Sequence, residues 1–272
     1  MKVVLFCGGL GMRLRDYSET VPKPMVNIGY RPILWHVMKY YAHFGYKDFI
    51  LCLGYKADAI KSYFRTYDES VSNDFILTSG NEVTLLNSDI HDWNITFIDT
   101  GINANIGQRL KAVQPLLEGE EVFLANYTDG LTDLDLRAYV DDVLATGKTG
   151  SFLCVRPTQT FHVVSVGDGG IVTSISPVTA ADVWINSGFF VLRPGIFDLI
   201  EPGEDLVVEP FGRLIEQEQL YAYKYTGFWT AMDTFKDKDR LDQMYAGGDA
   251  PWEVWREDRS LRREADILRR ER

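Results

Sequence analysis

The sequence predicts an α/β protein in which a mostly parallel sheet is covered by helices on both faces. Short apolar runs at residues 3–7, 49–53, 95–98 and 122–125 alternate with segments of helical spacing. This alternation is typical of βαβ units, because parallel strands must be joined by long crossover connections. The first run leads into Gly8 and Gly9, as expected for a buried parallel strand that ends in a tight turn.

Four helices are predicted between these strands. Apolar residues at helical spacing between Pro32 and Phe44 indicate the first helix, with proline at its first turn and Gly45 after its end. The same reasoning places helices at residues 57–64, 107–117 and 136–145. Ligands of such sheets collect at the carboxyl ends of the strands, so we expect the functional site there.

Beyond Gly150 the predicted strands become shorter. Residues 152–155, 163–166, 171–175 and 189–192 are strand candidates, and the turn at 167–170 indicates a hairpin. No linker rich in Pro or Ser divides the chain, so we predict one domain over residues 1–250 with a smaller β subdomain at about 150–225.

Residues 251–272 are predicted to form a charged terminal helix. Arg alternates there with Glu and Asp, which is typical of a solvated helix. Val254, Leu261 and Leu268 are spaced seven residues apart, so a subunit contact through this apolar seam is the alternative.

The composition and net charge limit the classes of function that this chain can have. The 272 residues are 46% hydrophobic and 25% charged, which indicates a globular chain with a sizeable core. A net charge of -11 disfavours a nucleic-acid or anionic-membrane surface and leaves room for a local basic pocket that binds a small phosphate ligand.

The cysteines and the start of the chain favour a cytoplasmic location. Cys7, Cys52 and Cys154 lie far apart on apolar runs, a pattern of reduced core thiols. No leader-like segment precedes residues 3–7, and no apolar stretch is long enough to cross a membrane.

The loop after the first strand suggests phosphate binding. In residues 8–14, GGLGMRL, Gly8, Gly9 and Gly11 allow backbone amides to approach phosphate oxygens, and Arg13 can add a charged fork. The loop lacks the Gly-Lys-Ser/Thr ending of a Walker motif, and Leu14 replaces the third glycine of a dinucleotide fingerprint, which excludes an NAD-dependent enzyme. A glycine turn that serves only steric needs is the alternative.

Lys23 stands between Pro22 and Pro24 in the segment PKPM. Each proline fixes its own φ and restricts the residue before it, so the ammonium is carried by a stiffened segment close to the glycine loop. A merely solvated lysine does not need such stiffness.

Residues 8–14 together with PKPM resemble the signature of the sugar-phosphate nucleotidyltransferases, and over nearly the whole chain the sequence is most similar to the glucose-1-phosphate cytidylyltransferases. The resemblance implies a Rossmann-like nucleotidyltransferase fold, transfer of a nucleotidyl group from an NTP to a phosphorylated acceptor with release of pyrophosphate, and a homo-oligomer. The other segments that carry it are residues 32–36, 54–56, 99–101, 109–111, 129–130, 185–190 and 227–234.

The resemblance also assigns roles. It implies CTP as the donor and Mg²⁺ as the cofactor, and it makes Arg13 and Lys23 the catalytic residues, with Arg13 on the departing pyrophosphate. The residues that it assigns to binding are Gly8, Gly9, Gly11, Arg109 and Lys111 for the nucleotide and Asp129 and Asp233 for the metal. We expect Asn186, Glu209 and His162 to bind the acceptor, although His162 departs from the family pattern.

The sequence departs from the family mainly on the acceptor side. Met12 and Thr128 replace the usual Thr and Gly, which the chemistry tolerates. His162 replaces the glycine of an Arg-Phe-Gly segment, and residues 176–178, SPV, replace Glu-Lys-Pro. Losing such charge-assisted contacts costs about 1.5–3 kcal/mol each. We therefore expect an altered acceptor, such as another sugar phosphate, a polyol phosphate, a phosphonate or an acyl phosphate. The alternative is that His162 only fills space or caps a turn.

A non-catalytic nucleotide-binding regulatory homologue is the competing function. Such a protein needs the fold and the nucleotide site but not the groups that serve the transition state. The retention of Arg13, Lys23, Asp129 and Asp233 argues against it.

Overall fold

A mixed eight-stranded sheet lies at the centre of the computed structural model, which describes residues 1–8, 21–158 and 161–256. The strands in chain order are β1 (Val3–Phe6), β2 (Asn27–Ile28), β3 (Arg31–Pro32), β4 (Asp48–Leu53), β5 (Phe75–Thr78), β6 (Glu82–Leu85), β7 (Asn94–Asp99), β8 (Phe123–Tyr127), β9 (Gly130–Thr132), β10 (Gly150–Val155), β11 (His162–Val166), β12 (Val172–Pro177), β13 (Ile185–Asn186), β14 (Phe190–Leu192), β15 (Leu220–Tyr225) and β16 (Trp229–Ala231). The α-helices are α1 (Ile33–His43), α2 (Ala57–Arg65), α3 (Ile106–Ala112), α4 (Leu136–Thr146), α5 (Glu209–Glu216) and α6 (Phe235–Ala246).

Strand pairing brings distant parts of the chain to one edge of the sheet. β1 pairs in parallel with β4 and β8, and β4 pairs in parallel with β7. β14 is antiparallel to both β8 and β10, so β10 runs in the same direction as β8. β15 is parallel to β10. The carboxyl ends of β1, β8, β10 and β15 therefore lie along the same edge.

The predicted cover of helices on both faces is confirmed. One core cluster packs α1, α2, α4 and α6 on one face of the sheet, and a second packs α3 and α5 on the other. β1 lies between the two clusters and is fully buried, because its side chains alternate between them and all are apolar.

The predicted helix at 107–117 is divided in the structure. α3 ends at Ala112, and a separate 3₁₀ turn, Gln114–Leu117, follows it. Pro115 has no amide hydrogen and disfavours α conformation in the residue before it, so the α-helix stops short of it. The hairpin β5–β6, helices α5 and α6, and strands β15 and β16 were not predicted.

The region 150–225 is largely continuous with the central sheet. β10, β13, β14 and β15 are strands of that sheet, whereas β11 and β12 form a separate antiparallel pair. The hairpin predicted around residues 167–170 is thus present, and it is the part of this region that extends beyond the central sheet.

The first residues of the predicted terminal helix belong to the core. Trp252 is 1% exposed and Trp255 is 7% exposed, and both pack in the cluster that contains α1. Residues 257–272 lie outside the described ranges, so the charged helix and its apolar seam remain predictions. The core thus continues past residue 250, because two indole rings are too large and apolar to leave in water.

The three cysteines are free and buried, as predicted. Across the described ranges, every helix is too short or too polar to be a candidate membrane span.

His36 connects the tryptophan segment to the rest of the core. Its Nδ1 accepts a hydrogen bond from Trp252 Nε1 at 3.3 Å, and its Nε2 lies 3.0 Å from the Ile28 carbonyl oxygen. These partners suit a neutral ring that donates through Nε2. Burial lowers the pKa of His36 from 6.5 to about 4.

We predict that His36 makes the fold sensitive to acid. Between pH 6.5 and about 4 the unfolded chain binds this proton and the folded chain does not, so stability falls as the pH is lowered through that range. The contribution of this group to the loss is about 2 kcal/mol at pH 5. Urea unfolding at pH 7.5 and pH 5 measures it. His36→Gln should reduce the pH dependence, whereas His43→Gln, on the same helix, should not; an unchanged pH dependence in His36→Gln would contradict this account.

Candidate active site

Lys23, Asp129 and Asp233 meet at the carboxyl edge of the sheet. The Lys23 ammonium lies 2.6 Å from Asp129 Oδ2 and 2.7 Å from Asp233 Oδ1. The three side chains are only partly exposed. Residues that are far apart along the chain therefore form one compact charged cluster that solvent can still reach.

A short strand pair brings the two aspartates together. β9 and β16 are antiparallel, with Gly130 opposite Ala231, and the Met232 amide donates to the Asp129 carbonyl oxygen at 2.9 Å. Asp129 precedes β9 and Asp233 follows β16, so the pairing places both at the same end of the ladder. Asp233 is also held on the other side, because the next residue, Thr234, caps α6 in a capping box with Asp237.

Lys23 is held as the two prolines predict. Pro22 is extended, and Lys23–Met25 forms a single 3₁₀ turn closed by a 3.1 Å hydrogen bond from the Val26 amide to the Lys23 carbonyl oxygen. Pro24 is buried. The backbone that carries the ammonium is therefore fixed.

The electrostatics of the cluster keep Lys23 charged. Burial alone would lower the pKa of Lys23, but the charges and hydrogen bonds of Asp129 and Asp233 outweigh it and raise the pKa above its ordinary value. The ammonium is thus a permanent positive charge at the edge of the sheet.

The two carboxylates suit a hard divalent cation. Both already converge on a single positive centre, the Lys23 ammonium. Mg²⁺ in proteins takes one or two carboxylates and completes its shell with water and substrate phosphates. Among the described residues, no cluster of three or more metal-binding side chains is present.

Thr128, at the position where the family has glycine, ties β8 to β1. Its hydroxyl donates to the Phe6 carbonyl oxygen at 3.3 Å, and the residue is buried. The substitution therefore supports the turn that carries Asp129 and leaves the carboxylate in place.

Gly8 packs against Arg109. A Cβ atom built on Gly8 would lie 2.1 Å from the Arg109 Cζ, so only glycine fits while the guanidinium keeps its place. Gly9, Gly11 and Arg13 lie outside the described residues, and their predicted roles remain predictions. The close packing at Gly8 is a reason for glycine that phosphate binding alone did not suggest.

Arg109 is a buried cation at the base of this loop. It is 1% exposed, and its Nη1 donates to the Leu53 carbonyl oxygen at 3.0 Å and to Thr100 Oγ1 at 2.7 Å. Within residues 1–8, 21–158 and 161–256, no carboxylate lies within salt-bridge distance of it. Its charge is directed toward the start of the glycine loop, where an anion is predicted to bind.

Lys111 lies elsewhere, although it was predicted beside Arg109 in the nucleotide site. Its ammonium donates to the Phe197 carbonyl oxygen at 2.8 Å. Residues two positions apart on an α-helix point in widely different directions, so Arg109 and Lys111 cannot both face Gly8. The structure does not bring Lys111 to the candidate site.

The predicted acceptor residues lie at the ends of other elements. His162 is exposed at the start of β11, opposite Pro177. The Asn186 carboxamide accepts the Gly188 amide hydrogen bond at 2.9 Å, and Glu209, at the start of α5, accepts one from the Asp205 amide at 3.2 Å. The structure does not gather these three side chains into one cluster.

Trp229 is a site residue that the sequence analysis did not single out. It is 9% exposed, and in the described part of the structure its Nε1 has no hydrogen-bond partner. This nitrogen lies 3.3 Å from where a Cβ on Gly130, the neighbour of Asp129, would stand. A buried indole donor without a partner costs stability, which is consistent with a ligand supplying the acceptor.

A cavity of about 380 Å³ opens beside Trp229. It lies at the ends of β10 and β15, along the edge that also carries Asp129. Its lining residues are Val155, Arg156, Pro157, Thr158, Thr179, Tyr225, Thr226, Gly227 and Trp229.

Comparisons with known proteins found similar sequences over most of the chain. The profile of the nucleotidyl transferase family matches residues 2–238. The chain is 39% identical over 256 residues to the glucose-1-phosphate cytidylyltransferase of Salmonella typhimurium, covering 94% of this chain and 100% of the relative. It is 35% identical to a probable glucose-1-phosphate cytidylyltransferase of Bacillus subtilis, with the same coverage.

The fold is also similar to a solved structure. The UTP-bound UGPase from Acinetobacter baumannii has a TM-score of 0.67 at 17% identity, covering 96% of this chain and 98% of that one. At this level of identity the similarity supports the fold.

We predict that Gly8→Ala is destabilising because of Arg109. The new methyl group would force the guanidinium away from Leu53 and Thr100, at a cost of about 1–3 kcal/mol typical of overpacking. Urea unfolding of Gly8→Ala, Arg109→Ala and the double variant tests the coupling: the alanine at position 8 should cost much less once Arg109 is truncated. Gly212→Ala, which meets no neighbour within 4 Å, is the matched control. Additive costs in the double variant would show that the two residues do not interact.

Proposed function

Because this chain belongs to the nucleotidyl transferase family, and its full-length relatives are cytidylyltransferases, we propose that it transfers a cytidylyl group from CTP to a small phosphorylated acceptor and releases pyrophosphate. The observation that carries the proposal is the convergence of Lys23, Asp129 and Asp233 at the carboxyl edge of the sheet. This is where ligands of such sheets bind.

The reaction requires two anions to meet. An oxygen of the acceptor phosphate attacks the α-phosphorus of CTP, and the bond from that phosphorus to the bridging oxygen of pyrophosphate breaks. The acceptor oxygen already carries the attacking charge, so no protein nucleophile is needed. The protein must instead neutralise charge and fix the approach, which are the usual contributions in phosphoryl transfer.

Lys23 provides a positive charge that solvent can reach. Its ammonium contacts both carboxylates, and the fixed backbone would hold it within reach of the substrate phosphates. Arg109 adds a fixed, buried charge below Gly8. We leave Lys111 out of the proposed nucleotide site, because its ammonium is bound to the Phe197 carbonyl oxygen.

Asp129 and Asp233 are the proposed ligands of Mg²⁺. When bound, the ion would neutralise charge on the phosphates of CTP. The strand pair β9–β16 and the capping box of α6 hold the two carboxylates where both contact one ammonium.

The proposal of CTP as the donor and the proposal for the acceptor class rest on different observations. CTP is supported by relatives that match along their full length and are named cytidylyltransferases. Glucose 1-phosphate is the acceptor in their names, whereas here His162 and residues 176–178 depart from the family pattern. We therefore propose a sugar 1-phosphate or a related small phosphate or phosphonate as the acceptor class.

Pyrophosphate release tests the reaction. The protein with Mg²⁺, each of CTP, UTP, dTTP, ATP and GTP, and a panel of phosphorylated acceptors should release pyrophosphate fastest with CTP. Tight CTP binding by calorimetry without release from any acceptor would instead indicate the non-catalytic regulatory homologue.

We predict that Lys23→Ala lowers kcat by about 10²–10³-fold, as expected for losing a charge that stabilises the transition state. The dissociation constant for CTP should change much less. Single-turnover kinetics and calorimetry separate the two effects. Lys61→Ala, an exposed lysine on α2, is the matched control. Wild-type turnover in Lys23→Ala would overturn the proposed role.

We also predict that Lys23 competes with Mg²⁺ for the two carboxylates. Removing the ammonium leaves Asp129 and Asp233 without their shared counter-charge, so Lys23→Ala should gain more thermal stability from Mg²⁺ than the wild type does. Thermal unfolding over a Mg²⁺ titration measures this without substrate. Adding Asp129→Asn to Lys23→Ala should abolish the gain, and a gain that persists would place the metal elsewhere.

A further inference from the structure

Arg156, Trp184 and Lys224 form a cation–aromatic cluster at the carboxyl edge of the sheet. The Arg156 Cζ lies 4.7 Å from the centroid of the Trp184 ring, and the Lys224 Nζ lies 4.9 Å from it. Arg156 directly follows β10, Trp184 directly precedes β13, and Lys224 belongs to β15. Three separate segments thus place two positive charges around one indole.

Strand register puts this cluster on one face of the sheet. Cys154 pairs with Asn186 on one side and with Lys224 on the other, so these three side chains share a face. Side chains two residues apart on a strand point the same way, which adds Arg156 and Trp184 to that face. The cluster therefore shares its face with Asn186, one of the predicted acceptor residues.

The cluster carries a net positive charge. Arg156 donates to the Ala181 carbonyl oxygen at 2.7 Å and to Asp182 Oδ1 at 3.2 Å. Asp182 Oδ1 also accepts from Trp184 Nε1 at 3.0 Å, which fixes the indole. Lys224 has no carboxylate within 4 Å among the described residues. In a chain of net charge -11, two cations sharing one carboxylate form an unusual local surface.

The arrangement favours binding of an anion. A guanidinium stacked on an aromatic ring and hydrogen-bonded at one end is already oriented, so less side-chain entropy is lost when it binds. A carboxylate or phosphate held between an oriented Arg and a Lys makes charge-assisted hydrogen bonds to both.

The cluster lies along the same edge of the sheet as the proposed reaction centre. Arg156 also lines the cavity beside Trp229, and that cavity opens on the edge where β8 leads to Asp129. An acceptor that extends along this edge would present its reacting phosphate to Lys23 and another group to Arg156 and Lys224.

We propose that Arg156 and Lys224, ordered by Trp184, bind a second anionic group of the acceptor. The preferred acceptor then carries a carboxylate or a further phosphate in addition to the phosphate that attacks CTP. This proposal rests on the proposed function, because that function makes the bound anion part of an acceptor. It also supplies a source of acceptor binding in a chain that lacks the Glu-Lys-Pro segment.

Three acceptors that share one sugar ring provide the test. Glucose 1-phosphate has a neutral sixth carbon, glucuronic acid 1-phosphate has a carboxylate there, and glucose 1,6-bisphosphate has a phosphate. We expect kcat/KM for one or both of the doubly anionic compounds to exceed that for glucose 1-phosphate by about tenfold or more, mainly through KM, as expected for a charge-assisted contact that forms on binding.

The cluster variants then show where the preference arises. Lys224→Gln and Arg156→Gln should each reduce this preference for doubly anionic acceptors about tenfold or more. Asp182→Asn, which removes the competing carboxylate, should increase it. Lys61→Gln and Arg137→Gln, exposed residues on α2 and α4, are the matched controls, and thermal unfolding checks that each variant folds.

Calorimetry with the same three compounds keeps this inference separate from the reaction itself. Equal or weaker binding of both doubly anionic compounds overturns the anion subsite even if pyrophosphate is released. A preference that survives in the Arg156→Gln/Lys224→Gln double variant overturns it as well. Preferential binding without pyrophosphate release from any acceptor overturns the assignment to an acceptor, and with it the proposed function.

Discussion

The sharing of one ammonium by two carboxylates is the constraint on which the site depends. Asp129 and Asp233 are close enough to share the Lys23 ammonium, and without a cation between them they would repel each other. Much of the surrounding structure holds this arrangement: the ladder β9–β16, the helix cap at Thr234 and the turn between two prolines. In the proposed reaction the same requirement recurs, because CTP and its acceptor bring more negative charge to the same place.

The fold explains why this charge lies at one edge. Parallel pairing of β1 with β8 places the ends of both strands together, so that the first residues after β1, Cys7 and Gly8, lie near the turn after β8. Arg109, which packs against Gly8, adds a positive charge from α3, in the connection between β7 and β8. β10 and β15 continue the edge toward the cavity and the cluster of Arg156 and Lys224. The proposed donor and acceptor sites therefore lie along the same row of strand ends.

Much of this was predictable from local sequence. Apolar runs and helical spacing identified β1, β4, β7 and β8 and the helices between them. Strands that are buried on both faces consist of nearly continuous apolar residues, which makes them easy to recognise in a sequence. The resemblance named Lys23, Asp129 and Asp233, which the structure places together. Helical geometry could also have predicted that Arg109 and Lys111 point in different directions, since residues two positions apart on an α-helix do not share a face. Trp252 and Trp255 could likewise have indicated a packed segment at the start of the charged tail, which the sequence analysis did not predict.

Other features depend on contacts that the sequence does not display. Gly8 must be glycine because of Arg109, a residue from a different connection, and no local pattern reveals that packing. Arg156, Trp184 and Lys224 become neighbours only through the pairing of β10 with β13 and β15. Register of this kind is set by long-range packing.

A crystal structure with CTP and Mg²⁺ tests the central account most directly. It should show the metal bound by Asp129 and Asp233 and the Lys23 ammonium within hydrogen-bond distance of the α-phosphate. A nucleotide bound away from this edge, with Lys23 still bridging the two aspartates, would contradict the account.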